Sequence, residues 1–175
     1  RQLSYRSCKA IHTVSSQQCD ELRGMRIQHP AMIPLINGVN IVKFQAARDA
    51  SEKAALRSAH GIPWPDARLM GIVGRFGPFK RHLELIKSFE KIAETHPDWR
   101  LVVVGDGGPN KDQVLEKMRI SPFASRMHWC GHQQDVAPFI RMLDLLVVAS
   151  SNEGLSNVTL EALASGVPVL SNLVC

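Results

Sequence analysis

The 175-residue sequence is poor in the features that mark membrane-spanning, secreted or metal-binding proteins. Its longest apolar runs, such as residues 145–149, fall far short of the roughly 20 residues that a membrane helix requires. The start of the sequence contains no uninterrupted apolar stretch of the kind that marks a signal peptide. The four cysteines form no C-x-x-C pair and the seven histidines show no metal-ligand spacing. We therefore expect reduced thiols, no bound metal and a cytoplasmic location.

Aromatic residues are also scarce, at 6% of the chain with a single tyrosine, and no basic stripe is interleaved with them. This argues against nucleic acid as a partner, because proteins that bind single strands stack the bases on aromatic side chains. The formal net charge of +5 favours an anionic partner, either a phosphate ligand or an acidic membrane surface. The charge is spread along the chain and does not choose between these two by itself.

The chain does contain a regular alternation of short β-branched runs and helical segments from about residue 69 onwards. Strands are predicted at 69–73, 101–104, 127–130, 145–149 and 167–170, and helices at 82–93, 111–119, 136–142 and 157–165. Continuous apolar strands that alternate with helices indicate a parallel sheet covered on both faces, which is a doubly wound α/β fold. In the helix at 82–93, Leu83, Ile86, Phe89 and Ile92 are expected on the buried side.

The first part of the chain predicts a separate strand–helix–strand unit. Strands at 11–14 and 33–36 flank a helix at 17–25, and an Asn37-Gly38 turn follows. A further helix at 49–60 begins with an Asp49 cap. We expect residues 1–37 to be the tail of a preceding domain with its hinge. Residues 41–175 are expected to form most of a second domain that lacks its C-terminal end.

The strongest chemical signal lies between the fourth strand of this series and the helix that follows it. The first turn of that helix presents free N–H groups to a phosphate, Gly154 lets a ligand approach closely, and Ser156 or Asn157 can cap. Glu153 and Glu161 flank this segment, and a carboxylate binds the vicinal hydroxyls of a sugar ring well. The same pattern also describes two ordinary surface carboxylates around an ordinary cap, and spacing alone does not decide.

Three more loops follow predicted strands of the same sheet. Gly74 and Arg75 follow the first strand and precede Lys80, so this loop offers a guanidinium fork and a mobile ammonium to phosphate oxygens. The loop matches neither the P-loop pattern nor G-x-G-x-x-G. Gly105 opens a glycine-rich turn after the second strand, and His132 follows the third. Each loop alone is equally compatible with a solvated turn, but ligands bind at the strand ends of such sheets.

Taken in order, these segments resemble the group 1 family of retaining glycosyltransferases, which have the two-domain GT-B fold. The resemblance covers most of the chain and includes a hinge-like segment at 34–40, a glycine turn at 104–107, a base-side segment at 129–136 and the segment at 166–169. Asn40 stands where the family usually has aspartate. Arg81 stands where it usually has glycine, which predicts a different local backbone after Lys80.

The resemblance implies that the chain is the Rossmann-like, nucleotide-sugar-binding half of an enzyme that transfers a sugar to an acceptor hydroxyl with retention. Glu153 would contact the donor sugar and support its reaction, and Glu161 would hold the ribose hydroxyls. The N–H groups of residues 154–157, which include Leu155, would face the diphosphate. Arg75 and Lys80 would stabilise the charge on the leaving diphosphate, so neither a metal nor another cofactor is expected.

The implied acceptor is a glycan or a lipid-linked molecule bound through the other domain, as in glycan or glycolipid biosynthesis by a hexosyltransferase. The isolated chain is expected to be inactive because that domain is nearly absent. Two alternatives remain on the same fold: a non-catalytic nucleotide-binding or interaction domain, and a sugar-nucleotide epimerase. The joint presence of Glu153, Glu161, Arg75 and Lys80 favours the transferase.

Overall fold

The computed structural model describes residue 5 and residues 7–151 and 155–172, and these contain two parallel sheets. The smaller sheet pairs β1 (Ile11–Thr13) with β2 (Met32–Pro34), which are joined by helix α1 (Ser16–Gly24). The larger sheet contains β3 (Arg68–Val73), β4 (Trp99–Val104), β5 (Met127–Trp129), β6 (Leu145–Val148) and β7 (Val169–Ser171). The further helices are α2 (Ala50–Ala59), α3 (His82–Thr95), α4 (Lys111–Ile120), α5 (Ala137–Arg141) and α6 (Asn157–Ala164).

The order of the strands in the larger sheet is β5-β4-β3-β6-β7, and every neighbouring pair is parallel. This confirms the predicted doubly wound α/β fold. The chain first winds from β3 outwards to β5, then returns to place β6 on the other side of β3. The winding therefore reverses between β3 and β6, and a crevice opens at the carboxyl ends of these strands. In open α/β sheets this crevice is where ligands bind.

Both faces of the larger sheet are covered by helices, so its central strands are apolar on both sides. Val102 and Val104 pack with residues of α5 and α6, whereas Leu101 and Val103 pack with residues of α3 and α4. All four are at most 1% exposed. This explains why the strand has the continuous apolar sequence of a parallel sheet rather than an alternating one.

Helix α3 packs on the sheet with the side that the sequence pattern predicted, and three further residues are buried with it. Ile86 and Phe89 are buried as expected, but Leu83 and Ile92 are only partly buried. The remaining buried residues are His82, Leu85 and Ala93. The pattern did not predict the burial of His82, whose ring packs against the ring of Phe76 with the centroids 4.8 Å apart.

A buried arginine organises the amino edge of the sheet, opposite the crevice. The guanidinium of Arg57, a residue only 4% exposed, donates to the carbonyl oxygens of Pro65, Ala67 and Met142 and to a carboxylate oxygen of Asp144. Arg57 and Asp144 also line a cavity of about 460 Å³ at this edge. Lys53 and Arg57 in its lining are already paired with Asp144, so we do not assign it a ligand.

Two predicted features of the first part of the chain are also present. The side chain of Asp49 accepts a hydrogen bond from the amide of Glu52 at 2.8 Å, which confirms Asp49 as the cap of α2. The second predicted strand is displaced towards the N-terminus and pairs over Met32–Pro34. In the part of the chain that the structure describes, no helix has both the length and the apolar character needed to cross a membrane.

Candidate functional site

The loops that follow β3, β4, β5 and β6 are joined by main-chain hydrogen bonds along the carboxyl edge of the sheet. The bonds run from Gly74 N to Val104 O (2.9 Å), Phe76 N to Gly107 O (2.9 Å), Gly105 N to Gly131 O (2.8 Å) and Ser151 N to Phe79 O (2.8 Å). Four segments that are far apart in the sequence thereby form one continuous rim. Because the bonds use peptide groups, the shape of the rim depends little on side-chain identity.

Gly105 and Gly108 are required by the contact between the loops after β3 and β4. Gly105 has φ 136°, and a Cβ there would overlap the carbonyl oxygen of Gly74. Gly108 has φ 101°, and a Cβ there would lie 2.6 Å from the carbonyl oxygen of Phe76. The sequence pattern suggested that these glycines permit close backbone approach. The structure shows that the backbone which approaches Gly105 is that of the neighbouring loop.

A cavity of about 400 Å³ lies at the crevice, between the large sheet and the β1–α1–β2 unit. Its lining residues are Val14, Asn37, Val73, Lys80, Leu155, Ser156, Asn157 and Val158. The structure thus brings together four of the predicted site residues, namely Lys80, Leu155, Ser156 and Asn157. They come from the loop after β3 and from the start of α6. These two segments lie next to the switch point of the sheet, which is the place between β3 and β6 where the winding reverses.

The N-terminus of α6 faces this cavity without a side-chain cap. Ser156 occupies the capping position, and its side chain makes no capping hydrogen bond within the described residues. Its carbonyl oxygen accepts from the amides of Thr159 (3.1 Å) and Leu160 (3.4 Å). No acidic residue lies in the first turn of the helix. Uncapped amides together with the positive end of the helix dipole favour an anionic group at this position.

Lys80 supplies a cation to the lining of the same cavity. It ends a short 3-10 turn, Pro78–Lys80, and the stem of its side chain passes over Gly74, where a Cβ would lie 3.6 Å from Lys80 Cε. The next residue, Arg81, has φ 53° and ψ 41°, in the left-handed region that favours glycine. Arg81 therefore has a backbone conformation that glycine favours, although the replacement of glycine by arginine predicted a different local backbone here. Arg75 lies on the same loop, but its side chain is exposed and does not line the cavity.

Gly105 and His132 lie further along the rim, outside the lining of this cavity. His132 is exposed beyond the end of β5. Near these two residues, Lys111 Nζ and Asp106 Oδ1 form an ion pair 2.6 Å long. The hydrogen bond from Lys111 is the largest cause of the lowered pKa of the Asp106 carboxyl. The positive charge of His132 makes a smaller contribution in the same direction.

Of the two predicted glutamates, the structure places one. Glu161 is partly buried on α6, one turn after Asn157, and burial raises the pKa of its carboxyl, while the charge of Lys43 opposes this shift. Glu161 does not line the cavity. Glu153 lies outside the described residues, as does Gly154. The expected pairing of the two carboxylates around a phosphate therefore stays a prediction.

Sequence reasoning missed four of the eight described residues that line the cavity, namely Val14, Asn37, Val73 and Val158. The side-chain amide of Asn37 donates to the side-chain oxygen of Asn157 at 2.7 Å and to the carbonyl oxygen of Leu155 at 3.5 Å. From the sequence, Asn37 was interpreted only as part of a turn and a hinge. The sequence does not predict its contact with the start of α6, because 120 residues separate it from Asn157.

The described residues offer little support for two other kinds of chemistry. They contain no group of three or more His, Cys, Asp and Glu residues that could hold a metal ion. Burial raises the pKa of the Cys130 thiol to about 12, so this side chain is protonated near neutral pH and is a poor nucleophile. Cys8 and Cys19 are free thiols, in keeping with the reduced state that the sequence predicted.

The sequence profile of the family described as glycosyl transferases group 1 matches residues 67–174. D-inositol 3-phosphate glycosyltransferase 2 of Catenulispora acidiphila is 29% identical over 168 residues, which are 90% of this chain and 38% of that protein. N-acetyl-alpha-D-glucosaminyl L-malate synthase of Bacillus anthracis is 33% identical over 119 residues, which are 68% of this chain and 30% of that protein. The chain thus spans about a third of the length of the curated relatives it matches.

The fold is also shared with a solved structure. The crystal structure of HepE from Anabaena in complex with UDP matches 97% of this chain and 46% of that chain, with a TM-score of 0.81. The identity is only 20%, so this comparison establishes the common fold and leaves the ligand of the present chain to be argued from its own residues.

Proposed function

Because the chain belongs to the group 1 family of glycosyltransferases, we propose that its cavity binds the diphosphate of a nucleotide-sugar donor. One observation carries this proposal: Lys80 and the uncapped N-terminus of α6 line the same cavity at the switch point of the sheet. Two independent sources of positive potential converge there from loops that are adjacent in space. A diphosphate fits such a site because it carries several acceptor oxygens and more than one negative charge.

In the proposed reaction, the acceptor hydroxyl oxygen forms a bond to the anomeric carbon while the bond from that carbon to the diphosphate oxygen breaks. The hydroxyl proton passes to the leaving diphosphate or to solvent, and negative charge develops on the diphosphate. Groups held in place before the reaction stabilise this charge without a cost of reorganisation. Lys80 and the amides at the start of α6 perform this role, and Arg75 joins them if its exposed side chain turns towards the ligand. Because these groups neutralise the leaving diphosphate, the proposed transfer needs no metal ion; retention of the anomeric configuration is a separate part of the proposal that follows from the family resemblance.

The remaining predicted site residues have separate roles in this proposal. Glu153 contacts the donor sugar, and Glu161 accepts hydrogen bonds from the ribose hydroxyls. Its raised pKa makes the Glu161 carboxylate more sensitive to mild acid than a surface carboxylate, so donor affinity falls earlier as the pH decreases. His132 and Gly105 lie on the rim after β5 and β4, and in this proposal they face the rest of the nucleotide.

Calorimetric titration of the chain with UDP, GDP and ADP tests the proposed binding. We expect one of the three nucleotides to bind, and Lys80→Ala to weaken its binding at least about tenfold, since a charge-assisted contact contributes about 1.5–3 kcal/mol. Lys91→Ala is the matched control, because it removes the same charge from an exposed position of α3. Absence of binding by all three nucleotides, or equal losses in the two variants, contradicts the proposal.

The activity of the whole protein is a further proposal. The chain spans about a third of the length of its relatives, so we expect binding of the donor without multiple turnover. The acceptor, a glycan or a lipid-linked molecule, binds in this scheme to the remainder of a longer protein at the cytoplasmic membrane surface. A transfer assay of the isolated chain with several donors checks this, and clear multiple turnover contradicts it.

A further inference from the structure

Asn37 connects the segment after β2 with the start of α6. Its side-chain amide donates to Asn157 Oδ1 at 2.7 Å and to the carbonyl oxygen of Leu155 at 3.5 Å. Asn37, Leu155 and Asn157 all line the cavity of about 400 Å³. The contact therefore lies within the cavity wall, and it joins the small sheet unit to the segment that is proposed to hold the diphosphate.

The direction of this hydrogen bond has a chemical consequence. A carboxamide has an oxygen that accepts hydrogen bonds and an NH₂ group that donates them. Since Oδ1 of Asn157 accepts from Asn37, the group that Asn157 has left to offer to a ligand is its NH₂. A diphosphate presents acceptor oxygens near neutral pH, so it requires donors from the protein. With the opposite orientation, Asn157 would present an oxygen to the anion and repel it.

We propose that Asn37 is a positioning residue for the nucleotide-sugar donor: it fixes the side-chain amide of Asn157 with its NH₂ group towards the diphosphate. This inference rests on the proposed function, because it assumes an anionic ligand beside α6. It goes further in that a residue outside the large sheet determines how well the site binds the anion. Affinity for the diphosphate then depends on where the segment after β2 lies.

The substitution Asn37→Asp reverses the polarity of the contact. An aspartate accepts from Asn157 NH₂, which turns this donor away from the ligand, and it adds a negative charge to the cavity wall. We expect Asn37→Asp to weaken binding of the best nucleoside diphosphate about tenfold to a hundredfold, and Asn37→Ala to weaken it only about twofold to tenfold. Binding of the matching uncharged nucleoside is expected to stay within about twofold of wild type, because it lacks the diphosphate.

Asn40→Asp provides the matched control for added charge. Asn40 lies three residues further along the same segment, is exposed, and uses its side-chain oxygen to accept from the amides of Val42 and Lys43. An aspartate retains both of these bonds. This variant is therefore expected to bind the nucleoside diphosphate within about twofold of wild type, apart from weak long-range repulsion that salt screens.

A double-mutant cycle tests whether Asn37 acts through Asn157. In an Asn157→Ala background, Asn37→Ala is expected to cause no further loss of affinity, because the group that it orients is absent. Additive losses overturn the inference, as does wild-type affinity of a folded Asn37→Asp variant. If Asn37→Asp fails to fold, the alanine cycle decides. Absence of nucleotide binding by the wild-type chain refutes the proposed function itself, whereas normal wild-type binding with unaffected Asn37 variants refutes only the positioning role.

Discussion

The carbonyl oxygen of Gly74 occupies the space that a Cβ of Gly105 would need. The two residues follow adjacent parallel strands, β3 and β4, and their loops are in direct contact. The loop that carries Lys80 is thereby supported from below by the glycine turn after β4. Because of this contact, the glycine at position 105 in the loop after β4 affects where the loop after β3 holds Lys80.

Gly105→Ala is expected to destabilise the chain by about 3 kcal/mol or more. The backbone of Gly74 must move to make room for the Cβ, and the new residue keeps an unfavourable φ. Gly107→Ala in the same loop is the control. Gly107 also has a positive φ, of 67°, but a Cβ there would meet no atom within 4 Å. Its cost is expected to be about 1–2 kcal/mol from strain alone. Urea denaturation of both variants measures the difference, and equal losses contradict the steric explanation.

Arg81 stands in a left-handed conformation at the start of α3, so its replacement separates backbone strain from side-chain effects. We expect Arg81→Gly to be more stable than Arg81→Ala by about 1 kcal/mol, since only alanine keeps the strain of a Cβ at positive φ. Both variants lack the guanidinium, so they differ in little else. Thermal unfolding provides the comparison, and an Arg81→Ala variant that equals or exceeds Arg81→Gly would show that Arg81 is unstrained.

His82 is expected to make the stability of the chain depend on pH between about 6.5 and 4. Burial, with a smaller contribution from the charge of Lys80, lowers the pKa of His82 from 6.5 to about 4. Below pH 6.5 the unfolded chain binds a proton at this residue that the folded chain does not, so stability is complete above pH 6.5 and decreases as the pH falls. The full shift corresponds to about 3 kcal/mol.

Denaturant unfolding at a series of pH values measures this dependence. His82→Leu is expected to remove most of the slope, and also to stabilise the chain near neutral pH, because both ring nitrogens of His82 are buried without a hydrogen-bond partner among the described residues. His12→Leu, at an exposed position of β1, is the control and is expected to keep the slope. A His82→Leu variant with an unchanged pH profile contradicts the buried, neutral histidine.

Removal of divalent metal is expected to leave nucleotide binding by the wild-type chain within about twofold, because Lys80 and the amides of α6 supply the positive potential. The measurement is a titration with the best nucleoside diphosphate in EDTA and again in magnesium. A loss of about tenfold or more in EDTA would mean that an ion bridges the phosphates and the protein. Lys80→Ala measured in both buffers separates the two cases, since a metal-dependent site would retain its response to magnesium in this variant.

Much of the fold follows from the apolar pattern. The continuous apolar run Leu101 to Val104 predicted a strand buried on both faces, and α3 and α5 cover it. The sequence pattern did not predict the burial of His82, because this histidine is buried in contact with Phe76, which lies outside the helix. Tertiary packing thus overrode the local preference.

The candidate site was predictable to the extent that strand ends meet at one edge of a parallel sheet. That rule placed Lys80 and Asn157 together, and the structure brings both to one cavity. It could not place Asn37, which comes from the separate β1–α1–β2 unit, since the packing of one sheet against another leaves no local pattern in the sequence. The rule also did not predict that Lys80 lines the cavity while Arg75 does not, because the direction of a long side chain depends on its neighbours.

The rim of main-chain hydrogen bonds has a consequence for how such a protein can diverge. Peptide groups are common to all residues, so mutation can replace exposed side chains on the rim, such as Arg75, Phe79 and His132, while the bonds between loops remain. The glycines at the loop contacts are the exception. A library randomised at those exposed positions, with Gly105 and Gly108 held constant, should therefore yield mostly folded proteins whose ligand preferences differ.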